Sequence, residues 1–77
     1  MASINRVEKA KQVLVNAIEH KVPVCDALRY VTAHYRSLTR ADMLAIAQHA
    51  GVNAHTASTQ YYKTRHGLVV APRSLKH

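Results

Sequence analysis

Residues 39–66 read TRADMLAIAQHAGVNAHTASTQYYKTRH, and this stretch decides the fold. Thr39-Arg40-Ala41-Asp42 has the [ST]-x-x-[DE] spacing that opens a helix. The Thr39 hydroxyl can accept from the third helical amide, while Asp42 reaches back to the amide of Thr39. Leu38 before the cap and Met43 after it can close a hydrophobic staple. Leu44, Ile46, Ala47 and Ala50 follow, and Gly51 stops the helix by supplying the left-handed backbone that other residues adopt only at a cost. Val52 is an apolar plug at the corner. Asn53 is a good N-cap for a further helix, predicted from Ala54 to Arg65 or His66 and ended by Gly67. Ala47 must be small because the later helix crosses closely over it, and Ala57, Tyr61 and Gln60 face inward. A capped helix, a glycine turn and a polar second helix make a helix-turn-helix. Such a second helix can lie in a DNA major groove with its N-terminal side chains toward base edges.

Within that stretch, Ile46-Ala47-Gln48-His49-Ala50-Gly51-Val52-Asn53-Ala54-His55-Thr56-Ala57-Ser58 resembles the helix-turn-helix of bacterial repressors, the lac repressor family in particular. That family shows V-A-x-x-A-G-V-S-x-x-T-V-S at these places. Ala47, Ala50, Gly51, Val52, Thr56 and Ser58 agree. Ile46 stands for Val, Asn53 for the capping Ser, Ala57 for the second Val, and Gln60 occupies a place usually apolar. The resemblance covers residues 39–66 only, and here two helices precede the motif. By position it implies that Ala54, His55 and Thr59 face base edges, with Asn53, Thr56, Ser58 and Lys63 nearer the phosphates. Arg40, Arg65 and Arg73 complete the expected DNA-binding set. Phosphate contacts position the protein and base contacts specify sequence. No Arg or Asn faces the bases in the first two turns, so weak intrinsic specificity is expected.

Before the motif, Val7, Ala10, Leu14, Ala17 and Ile18 form one helical stripe in a helix predicted from Arg6 to His20. Asn5 and Glu8 have capping-box spacing at its start. Val13 and Val15 lie off the stripe, widening the buried face or marking a surface for a second subunit. A second helix is predicted from Val24 to Arg36, and Pro23 suits a first helical position. There Val24, Ala27, Leu28, Val31 and Tyr35 face inward, and Arg29 and Arg36 face solvent. After Gly67, Leu68-Val69-Val70 is a β-prone run, either a single strand or an apolar tail over the core. Pro72 to His77 forms a basic extension. The expected fold is all-α: a small four-helix domain over residues 1–77, the helix-turn-helix at 39–66 and a short extended tail at 68–77.

The chain has 77 residues and a formal net charge of +7, with a pI near 10.1. One domain is expected at this length, with a small core. A pI above roughly 9 is the electrostatic footprint of a nucleic-acid binder, although an acidic protein or membrane surface would also fit it. The charge is uneven: all four acids precede Met43, and residues 43–77 hold Lys63, Arg65, Arg73 and Lys76 with no acid. A single cysteine, Cys25, excludes an internal disulfide and suits a reducing compartment. No apolar run reaches the roughly 18 residues of a membrane span. The six histidines match no zinc spacing, so neither a metal nor another cofactor is expected. No paired carboxylates, phosphate loop or Ser-His-Asp order marks an enzyme.

The sequence therefore reads as a small, repressor-like, sequence-preferring regulator of double-stranded DNA. It is expected in the cytoplasm of a prokaryotic cell or a virus-infected prokaryotic host. A homodimer is the expected assembly, paired through the first helix or Leu68–Val70. The alternative reading is a protein-interaction module that binds an acidic host or viral protein.

Overall fold

The computed structural model describes residues 4–73. Four helices follow one another: α1 (Ile4–Glu19), α2 (Val24–His34), α3 (Arg40–His49) and α4 (Ala54–Arg65). No strand occurs among the described residues, so the fold is all-α as the sequence predicts. Helices α1 and α4 each pack on both α2 and α3. The core is built from Leu14, Leu28, Val31, Leu38, Met43 and Ile46, with Ala10, Ala27, Ala47 and Ala57 where backbones come close.

In α1, Ala10, Leu14 and Ala17 are buried, and Val7, Val13 and Ile18 pack against the core. Val13 thus widens the buried face. The helix begins at Ile4, before the expected start, which places Asn5 within the first turn rather than at the cap. Glu8 pairs instead with Lys11, one turn on, at 3.0 Å. The end of α1 is closed by Lys21 N–H to Ile18 O and Val22 N–H to Ala17 O, at 3.1 and 3.0 Å. This is the Schellman arrangement. Lys21 holds the left-handed position at φ 67° without being glycine.

Helix α2 starts at Val24, as predicted, with Pro23 just before it and no side-chain cap at that end. It differs from expectation in three ways. The helix stops at His34, because the carbonyls of Tyr35 and Arg36 turn toward a side chain of α4. Val24 is exposed rather than part of the core. Arg29 does not simply face solvent either. Its Nε–H donates to Gln60 Oε1 at 2.8 Å, and Asp26 lies 4.0 Å from its Nη1. Gln60, only 7% exposed, is thus a buried polar residue with a partner on α2, as an interior amide requires.

The capping box of α3 forms as predicted. Asp42 N–H donates to Thr39 Oγ1, and Thr39 N–H donates to Asp42 Oδ2, both at 3.1 Å. Leu38 and Met43, the staple pair, are both buried. Beyond Gly67 the described tail is neither a strand nor a cover for the core: Leu68 is 63% and Val70 89% exposed. The rest of the basic extension, including Lys76, lies outside the described residues. No described helix is long and apolar enough to cross a membrane.

Candidate nucleic-acid interface

The turn between α3 and α4 is determined locally. Gly51 sits at φ 79°, with Gly51 N–H donating to Gln48 O and Val52 N–H to Ala47 O at 3.1 and 2.8 Å. Ala47 and Ala57 are completely buried, and Val52 packs against the core. Asn53 Oδ1 accepts from His55 N–H at 2.7 Å and from Thr56 N–H at 3.4 Å. The Asn53 side chain therefore works as a cap. Its oxygen is occupied, and the amide nitrogen is what it can offer a phosphate.

At 3.6 residues per turn, these constraints fix the face that α4 shows to solvent. Ala57, Gln60, Tyr61 and Thr64 lie on the inner side, Ala57 and Gln60 being the buried pair. The centre of the opposite side is His55, Thr59, Tyr62 and His66. Two flanks border this stripe. One carries Ala54 and Ser58, where Arg40 Nε–H donates to Ser58 Oγ at 3.2 Å across from α3. The other carries Thr56 and Lys63. Arg40, Ser58, Thr59 and His55 are thus brought to one surface, with Lys63 and Thr56 along its far edge. Ala54 is exposed but lies on the flank, roughly a quarter-turn from the stripe's centre, rather than beside His55.

Arg65 requires a correction. Its Nη1 donates to Arg36 O at 2.9 Å, and its Nη2 to Leu38 O at 3.0 Å and Tyr35 O at 3.3 Å. The guanidinium also lies 5.0 Å from the centre of the Tyr61 ring. Its Nε is buried without a partner. Arg65 is therefore a clasp on the α2–α3 loop, with three of its N–H donors committed to loop carbonyls. Arg73 is exposed at the end of the described tail, and no hydrogen bond or ion pair ties it to α4 among the described residues.

Two outward residues are missing from the expected set, Tyr62 and His66. Tyr62 is 56% exposed, and its ring tilts against His66 with centroids 4.3 Å apart. The signal was present in the spacing: positions 55, 59, 62 and 66 follow the 4-3-4 period of one helical face.

Helix α4 and the described tail carry no carboxylate. Asp42, the nearest acid in sequence, is held in its capping box. Lys63 has no ion pair among the described residues, and Arg40 has only its bond to Ser58. Among the described residues, no three His, Cys, Asp or Glu side chains stand where they could share a metal ion. Comparison with protein-family models, curated proteins and solved structures gives no match.

Proposed function

We propose that this protein binds double-stranded DNA as a small repressor-like regulator, with α4 in the major groove. His55 and Thr59 face base edges. Arg40 and Ser58 reach one phosphate strand, and Lys63 and Thr56 the other. One observation carries the reading: a polar, acid-free stripe on α4 is bordered on each side by a cation without an ion pair. The likeness of residues 46–58 to the lac repressor family's helix-turn-helix supports it. The reading includes a dimer. Val13 of α1 packs against the core, whereas Leu68 and Val70 stand exposed, so pairing is assigned to Leu68–Val70.

The test is a gel-shift titration of random-sequence duplex at two salt concentrations. Neutralising several phosphates releases counterions, so affinity should fall steeply, by a factor on the order of ten or more for a few-fold rise in salt. No retained duplex at low salt would sink the reading in favour of an acidic protein partner. Lys63→Ala should weaken all duplexes alike, whereas His55→Ala or Thr59→Ala should change sequence preference. Indistinguishable behaviour of the two kinds of variant would show that the recognition face is misplaced. Sedimentation of Val70→Asp beside the parent chain tests the pairing segment, with a shift toward monomer expected.

A further inference from the structure

The outer stripe of α4 borders a groove of about 350 Å³, closed on its other side by the start of α3. That volume falls in the range of small-ligand sites, roughly 300–1,000 Å³. Its lining includes Arg40, Ser58, Thr59, Tyr62, Arg65 and His66 and contains no carboxylate. Arg40 is held in place through Nε by Ser58. Its two Nη atoms, the prongs that grip an oxyanion in parallel, have no partner among the described residues. Thr59 contributes a hydroxyl-bearing side chain to the same lining. Along the same side of α4, Tyr62 presents a half-exposed ring backed by His66. Arg65, also in the lining, has most of its Nη donors engaged by the α2–α3 loop.

A forked cation and a flat aromatic surface in one groove suit a ligand that is anionic at one end and flat at the other. We propose that this groove is a nucleotide subsite. The phosphate sits on the Arg40 Nη pair with the Thr59 hydroxyl, and the base stacks on Tyr62. A free nucleoside monophosphate and the unpaired end of a strand present this same chemistry. The proposal does not require α4 to enter a major groove. It adds a way for a small molecule to compete with DNA, since Thr59 and Tyr62 also belong to the outward stripe.

The experiment is an amide NMR titration of the full chain with adenosine monophosphate, adenosine and inorganic phosphate, each alone. Saturable shifts from the monophosphate at residues 40, 59, 62 and 66 are expected, with adenosine or phosphate binding about tenfold more weakly or worse. Arg40→Ala and Tyr62→Ala should each reduce monophosphate affinity by about tenfold, and Tyr62→Phe should retain it because the ring remains. A single-stranded oligonucleotide with a 5′-phosphate, added as competitor, distinguishes the sources. Displacement supports the subsite with strand ends as ligands, and no displacement supports it with free nucleotides as ligands. The proposal is overturned if no saturable shift occurs, if phosphate alone binds as well as the monophosphate, or if both alanine variants titrate like the parent chain. Duplex binding without monophosphate binding removes the groove and leaves the major-groove reading intact. Monophosphate binding without duplex binding does the reverse.

Discussion

The two connections on either side of α3 are held by opposite means. The turn into α4, Ala50 to Asn53, is made from its own residues. A glycine in the left-handed region, two backbone hydrogen bonds and an asparagine cap close it within a few positions. The loop out of α2, Tyr35 to Leu38, is held from a distance. Its carbonyls accept from Arg65, which lies 27–30 positions later, and from the Tyr61 hydroxyl at 3.3 Å. The first can form before the helices pack, whereas the second exists only after α4 has docked. One helix links the two: its start is set by the local turn, and its end secures the remote loop. Anchored at both ends, α4 shows solvent a single face.

The largest way to break this contrast is Arg65→Ala. Hydrogen bonds from charged donors contribute more than neutral ones, and removing three at a half-buried site should cost about 2–3 kcal/mol. Urea unfolding measures it. Arg65→Lys should recover less than half, because one ammonium cannot span three carbonyls as a planar fork does. A loss below about 0.5 kcal/mol for Arg65→Ala, the scale of ordinary surface changes, would mean that the loop holds itself.

A smaller effect tests the local turn. Nothing lies within 4 Å of a Cβ added at Gly51, so Gly51→Ala introduces no clash, only backbone strain. The expected loss is about 1 kcal/mol. Asn53→Ala should cost a similar amount, about 1 kcal/mol, through the lost cap. If Gly51→Ala proves neutral by the same unfolding measurement, the left-handed turn is not what limits this connection.

The smallest effect should come from the turn between α1 and α2, which repeats the hydrogen bonds of the Gly51 turn with a lysine in the left-handed place. Lys21→Gly should stabilise the protein, by up to about 1 kcal/mol. Relief of left-handed strain outweighs the added freedom of the unfolded chain. A destabilised variant would show that Lys21 has a role its φ angle does not reveal.

How far each feature could be read in advance follows the same division. The Thr39–Asp42 box, the stop at Gly51 and the Asn53 cap are contacts across two to five positions, and residue type alone announces them. The Lys21 turn is just as local but carries no glycine, so its composition conceals it. Gln60 reads as an inward residue, but nothing in the sequence names its partner: Arg29 lies 31 positions earlier and reads as a solvent residue. Arg65 departs from expectation for a related reason. A basic residue on a polar helix looks like a phosphate contact until the loop that it grips is in place. Tyr62 and His66 were legible by period, yet the groove that they border depends on where α3 begins.

The sequence by itself determined four helices, the capped glycine turn and the apolar stripes, because these rest on backbone preference and on burial at a fixed period. Only the tertiary structure decided which cations are free. Arg29 and Arg65 are held by Gln60 and the loop carbonyls, while Lys63 and the forked end of Arg40 are left open. A charged side chain binds whatever acceptor folding brings within reach, and that acceptor can lie anywhere along the chain.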